Sequence, residues 1–331
     1  MKSIALVGLE KNTGKTETLN YILKNLDKRV GVTSIGFDGE IRDQLTFLSK
    51  PQIKIKKGTI FATAEKTYYQ KKFSSDILSV ENTLRTPIGK VIIANALEDG
   101  EIILAGPQKT KDLKYLIKKM ENFGADIILI DGALSRLSSA SPSISETMIL
   151  ATGGSLSLNI DTIVKKTKFI TDLIMLEKEE NDKLPNLPNG IYSINDKIIK
   201  LPIKSLMGLE EMEKFQNIFE EFGKKLYISG ALSETFINFL CKKNYIEEIE
   251  IIVQDFTKIF VNPETFSVFT HKGGKIKVLQ KPKLLAVTIN PFSPYGYEIN
   301  TDILKNRLED KINVPIINIR KEGRILQKLL Q

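Results

Sequence analysis

The chain has 331 residues, 42% of them hydrophobic and 27% charged, with a formal net charge of +8, which is enough to bury a substantial core in one large or two ordinary domains. A single cysteine, Cys241, and a single histidine, His271, exclude an internal disulfide framework and a Cys/His zinc cluster. No run of 18 apolar residues and no signal-peptide pattern appears, so no membrane contact and a cytoplasmic location are expected, and the basic excess, mostly lysine interleaved with carboxylates as in KKMENFGAD, predicts a solvated surface and no nucleic-acid partner.

In chain order, SIALVG reads as a buried strand, LEKNTGKT as a turn and ETLNYILKNL as a helix, with Leu19, Ile22, Leu23 and Leu26 at helical spacing. RVGVTSIG is a β-branched strand, and QIKIKKGTIFAT, alternating lysine with apolar residues, predicts an edge strand. IGKVIIANALEDGEIILAG predicts a hairpin about Glu98-Asp99-Gly100. KDLKYLIKKMENFG predicts a helix ending at Gly124, and ADIILID a buried strand of the kind parallel sheets use. From Ser135 to Ser157 small and polar residues predict a loop over the strand ends and one more short strand, followed by a helix from Ile163 to Leu176.

The charged and Pro/Asn/Gly-rich stretch LEKEENDKLPNLPNG predicts a linker. The expected organisation is a nucleotide-binding domain over 1–180, a linker over 181–190 and a second α/β domain over 191–331, open to a partner or client. In that second part EEMEKFQNIFEEFG and SETFINFLCKK predict helices, KLYISGAL, EEIEIIVQD and TKIFVN strands, and KLLAVTINPFSP, a helix through Ile303 to Leu308 and VPIINI close the unit. Alternating strands and helices imply an α/β fold with a doubly wound, mostly parallel sheet. Gly-Ala-Leu-Ser follows an apolar strand twice, at 132–135 and 230–233, an echo that two related half-domains would produce but that a match of four residues more often reaches by chance.

The chemistry-bearing segment is GLEKNTGKTE. A phosphate-binding loop spaces its residues G-x-x-x-x-G-K-[ST], so that backbone N–H groups and a helix N-terminus wrap phosphate, lysine reaches the terminal phosphates and the hydroxyl ligates Mg²⁺. Here Gly8 lies one residue further from Gly14 than that spacing, while Gly14, Lys15 and Thr16 fill their places between a strand and a helix. The cradle is expected to comprise Gly8, Glu10, Lys11, Asn12, Thr13, Gly14, Lys15, Thr16 and Glu17. Magnesium is expected on Thr16 and on Asp131 at the end of IILID, although Asp131 before glycine is also good turn chemistry. Asp38, in VTSIGFDGE, is placed to orient an attacking water or a magnesium-bound water, with Glu40 as its substitute; a turn role for Asp38 stands equally. The lack of an Asn-Lys-x-Asp tetrapeptide favours adenine over guanine, with Ser155 to Thr162 expected near the base or a switch. The cofactors expected are therefore ATP and Mg²⁺.

The longer loop resembles that of dethiobiotin synthetase and the cobyric-acid amide synthases, within the class of dimeric P-loop ATPases and GTPases, over roughly residues 3 to 160. That class implies a P-loop NTPase fold and homodimerisation. The synthetases place a lysine-proline pair after the second strand, where this chain has Gly36-Phe37-Asp38-Gly39-Glu40. The strings VGLEKNTGKTETLNYIL, TSIGFDGE and IDGALSR resemble a narrower family, the small P-loop subunit of the lysine 5,6-aminomutase reactivase. This resemblance implies ATP hydrolysis, a MutS-like ATPase partner subunit and an adenosylcobalamin-dependent aminomutase as client, with Asp38 to Glu40 and Gly132 to Ser145 as switch segments. An ATP-dependent ligase and a nucleotide-binding scaffold are the alternatives.

Overall fold

The computed structural model describes residues 3–36, 52–133, 142, 144–203, 219 and 221–331. Asp38, Glu40, most of the expected switch after Gly132 and most of the helix expected over EEMEKFQNIFEEFG lie outside the described residues. The chain forms two compact units, Met1–Lys168 with Pro282–Gln331, and Phe169–Lys281.

The first unit opens with β1 (Ser3–Gly8), α1 (Lys15–Asn25) and β2 (Val30–Ser34). It continues through β3 (Ile53–Ile55), β4 (Ile60–Ala64), α2 (Glu65–Gln70), β5 (Ser75–Thr86), β6 (Gly89–Ala96), β7 (Gly100–Ile102) and α3 (Thr110–Asn122) to β8 (Ile127–Ala133), β9 (Thr147–Gly153) and the first part of α4 (Ile160–Ile174), which the unit boundary divides. The second unit holds β10 (Glu177–Lys178), β11 (Ile191–Ile194), β12 (Ile198–Lys200), β13 (Lys225–Ile228), β14 (Leu232–Ser233), β15 (Glu250–Val253), β16 (Ile259–Phe260) and β17 (Lys275–Val278), with helices Glu234–Leu240 and Pro263–His271. The chain then returns to the first unit as β18 (Lys283–Asn290), the helix Thr301–Glu309, β19 (Ile316–Asn318) and the helix Ile319–Leu330.

The large sheet of the first unit has nine strands in the order β19-β18-β9-β1-β8-β2-β4-β6-β5. The first seven run parallel; β6 and β5 are antiparallel at one edge. Successive side chains of a strand point to opposite faces, and the apolar runs supply both. Ile127 and Leu129 of β8 pack with Leu19, Ile22 and Leu23 of α1 and with Leu326 and Leu330, whereas Ile128 and Ile130 pack with Leu113, Leu116 and Met120 of α3. Helices therefore cover both faces, as a doubly wound α/β sheet requires. The second unit has a six-stranded sheet, β10-β17-β15-β13-β11-β12, parallel from β10 to β13. Among the described residues no helix is long and apolar enough to cross a membrane.

Three sequence expectations need correction. The boundaries 1–180, 181–190 and 191–331 fail because β18 and β19 join the first sheet, β18 pairing with β9 from Lys283 to Asn290. The second unit is thus an insertion that begins within α4, at Phe169, and ends before β18, and hydrophobic periodicity identifies a strand without saying which sheet it enters. The expected edge strand QIKIKKGTIFAT divides at a turn where Gly58 has a φ of 86°; only β3 alternates, while β4 is buried throughout between β2 and β6. The hairpin expected about Glu98-Asp99-Gly100 is absent, since β6 pairs with β4 and β5, and β7 pairs with β3. The two carboxylates bond elsewhere, Glu98 accepting from the Ser74 amide and Asp99 from the Lys57 amide.

Candidate functional site

The carboxyl ends of β1, β8, β9 and β18 converge, and that edge of an open parallel sheet is where ligands bind. Between β1 and α1 the loop needs two left-handed residues, Asn12 at φ 63° and Gly14 at φ 88°, a region asparagine and glycine enter most cheaply. Two glycines also lack room for a side chain: a Cβ on Gly8 would lie 2.5 Å from Thr13 Oγ1, and one on Gly14 would lie 2.6 Å from Asn290 Cβ. Buried Thr13 donates its hydroxyl to the Glu10 carbonyl at 2.9 Å, bracing the loop from inside. Gly14 caps α1 and offers no side-chain oxygen to the first-turn amides. Those N–H groups and the positive end of the helix dipole face the loop as an anion-binding end.

Lys15 begins α1, and its Nζ lies 2.8 Å from Asp131 Oδ1, with the two side chains 21% and 18% exposed. Register puts Asp131 beside Leu6 of β1 on one side and Ser34 of β2 on the other. Its main-chain carbonyl accepts from Ser34 Oγ at 3.2 Å and the Ile35 amide at 3.1 Å, which fixes the strand end. The Lys15 ammonium approaches by charge without hydrogen-bond alignment, and Asp131 Oδ1 is a buried acceptor with no aligned donor among the described residues. Thr16 shares the first turn of α1.

The acidic members of the expected cradle are held to the sides. Glu10 pairs with Lys166 at 3.3 Å on the surface, and Glu17 accepts from Arg320 Nε. The structure therefore brings Gly8, Thr13, Gly14, Lys15, Thr16 and Asp131 around one loop, and places the Glu10 and Glu17 carboxylates in ion pairs at its rim. Lys11 lies exposed in the loop.

Sequence reasoning missed one wall of this site. Asn290 closes β18, fills the space above Gly14 and donates Nδ2–H to the Asn12 carbonyl at 3.2 Å. Just beyond it the Phe292 ring carries the Arg320 guanidinium 4.3 Å from its centroid, a cation–π contact that also holds the partner of Glu17. Gly153 and Gly154 pass so close to residues 290 and 291 that a Cβ would meet the Asn290 carbonyl oxygen at 1.8 Å and that of Pro291 at 2.5 Å. Ser155, in the segment expected near the base, has a buried Oγ with no partner among the described residues. The available signal was TINPFSP, a polar Asn-Pro turn directly after a β-branched strand. Asn290→Ala removes a loop brace worth about 1 kcal/mol, so phosphate-ligand affinity should fall roughly fivefold; isothermal titration against the parent protein checks this.

The donor set suits a nucleotide with magnesium. The first-turn amides lack side-chain caps, and Asp131 Oδ1, 2.8 Å from the Lys15 ammonium, with the Thr16 hydroxyl are single oxygen donors. Mg²⁺ takes one or two protein ligands beside phosphates and waters. Comparison of the chain with models of protein families, with curated proteins and with solved structures finds no match.

Proposed function

We propose that this chain is a P-loop NTPase that binds ATP with Mg²⁺ on the loop Gly8–Thr16 and hydrolyses it as the switch subunit of a reactivating factor for an adenosylcobalamin-dependent lysine or related aminomutase. The observation that carries the nucleotide part is the meeting of the loop lysine with the strand-end carboxylate, Lys15 Nζ at 2.8 Å from Asp131 Oδ1. In this reading the amides of the loop and of the first turn of α1 bind the phosphates, and Lys15 neutralises the terminal ones. Thr16 and Asp131 hold the magnesium, which when bound supplies charge neutralisation at the phosphoryl oxygens. Asp38 orients the attacking water. We assign the base to the wall formed by Asn290, Phe292 and Arg320, where an aromatic ring and a planar cation offer stacking surfaces.

The client half of the proposal rests on the likeness of VGLEKNTGKTETLNYIL, TSIGFDGE and IDGALSR to the small reactivase subunit. Hydrolysis can drive release of a damaged cofactor only if the two nucleotide states differ in affinity for the mutase. A MutS-like partner subunit is the proposed recipient of that change.

ATP and GTP turnover should be measured with magnesium, for the chain alone and with an adenosylcobalamin aminomutase and its MutS-like companion. Slow ATP turnover alone, stimulated in the full mixture with recovery of inactivated mutase, is the expected result. Tight ATP binding without stimulation would remove the reactivase half and keep the nucleotide half; no nucleotide binding would remove both.

A further inference from the structure

We propose that the cavity between α2 and the β3–β7 ladder is a second ligand site, which takes a small zwitterion of the α-amino-acid class. The proposal does not draw on the nucleotide reading. The cavity lies within the first unit and has a volume of about 410 Å³, inside the range of about 300–1,000 Å³ found for small-molecule sites. Thr67 and Ile102 are its buried floor, and Gln52, Gln70, Lys72 and Glu101 stand exposed around it.

The floor is short of protons. Thr63 and Thr67 are both buried with their hydroxyls 2.7 Å apart, and Thr67 Oγ1 also reaches the Ala64 carbonyl at 2.8 Å and Thr63 Oγ1 the Ile103 carbonyl at 3.2 Å. Each hydroxyl carries one proton, so two protons serve three contacts and leave an acceptor for a ligand N–H group to satisfy. Glu101 adds a carboxylate to the same cavity; Lys54 stands opposite it in the β3–β7 register and closes no ion pair with it among the described residues. An ammonium, with three donors and a positive charge, answers both.

The cation for the ligand's other end is Lys72. Lys71 also lines the cavity but is committed, its Nζ donating to the Phe73 carbonyl at 2.8 Å and lying 4.5 Å from the Tyr68 ring centroid. The side chains of Lys72, Gln52 and Gln70 have no hydrogen bond or ion pair among the described residues. A polyanion would meet Glu101 and a polyamine would meet Lys72, which selects a molecule carrying both charges. The wall is held in place before any ligand arrives: Asn20 of α1 donates Nδ2–H to the Gln52 carbonyl at 3.1 Å and accepts from the Lys54 amide at 2.9 Å.

The test is calorimetric titration of the full chain with L-leucine, L-glutamate and L-arginine, beside acetate and methylamine as half-ligands. At least one amino acid should bind with a Kd of about 1 mM or tighter, and each half-ligand at least roughly tenfold more weakly. Glu101→Gln and Lys72→Gln, both exposed and checked for parent-like melting, should each weaken that amino acid roughly tenfold. No binding by any of the three amino acids overturns the site, as does binding that survives either substitution. Acetate or methylamine binding as tightly as the amino acid overturns the zwitterion.

Discussion

Lys15→Ala is expected to bind ATP roughly 100-fold or more weakly than the parent, because a charged donor contributes about 1.5–3 kcal/mol per hydrogen bond and an ammonium carries three such donors. The terminal phosphates lose the cation that otherwise sits 2.8 Å from Asp131 Oδ1, and nothing else in the first turn of α1 replaces its charge. The fold should hardly notice. Lys15 opens a helix whose buried face is made by Thr18, Leu19, Ile22 and Leu23, so helical signal and melting temperature should stay near those of the parent. Calorimetric titration with ATP and magnesium, beside thermal melts, separates the two effects. Parent-like affinity in a folded Lys15→Ala protein would sink the assignment of the loop.

A large loss of stability is expected from Gly106→Ala. A Cβ there would lie 1.8 Å from the Ser34 carbonyl oxygen, a main-chain atom that no rotamer change can move. Around it the Gly106 amide bonds to the Gly36 carbonyl at 3.1 Å and the Gly36 amide to the Pro107 carbonyl at 3.2 Å, and Ser34 in turn grips Asp131. Overpacking typically costs about 1–3 kcal/mol, and a clash between main chains belongs at or above the top of that range. Gly230→Ala is the control: a Cβ there meets nothing within 4 Å, so the cost should stay within about 0.5 kcal/mol. Urea titration of both variants reads the difference, and equal midpoints would show that the 104–107 segment gives way freely.

The parts of the fold legible in the sequence are those governed by local pattern. SIALVG, ADIILID and KLLAVTIN are short, apolar and β-branched, and each is a strand of the parallel sheet; KDLKYLIKKMENFG has one apolar face and stops at Gly124, whose φ is 93°. What escaped is partnership between distant segments. Nothing within TIFATA says that it lies inside a sheet, and nothing within KLLAVTIN says that it returns across an inserted unit to pair with Thr147–Gly153. The site divides in the same way. The loop and Asp131 are readable because each combines a residue type with a strand end, whereas Asn290 and Arg320 become visible only once β18 stands beside β9 and β19 beside β18.

That return of the chain sets an order on how the protein matures during synthesis. Ribosomes add about 5–20 residues per second, so the loop after β1 leaves the tunnel on the order of tens of seconds before Asn290 exists. In the interval β9 is the outermost strand of a partial sheet, with its hydrogen-bonding edge bare and Gly153-Gly154 unroofed, an arrangement that invites pairing with another chain. The inserted unit, complete in sequence before β18 appears, can fold during that wait. The Asn290 brace on the loop is therefore a late acquisition of the nascent polypeptide, and a chain stalled before Asn290 would carry the loop with its inner Thr13–Glu10 bond and without its outer wall.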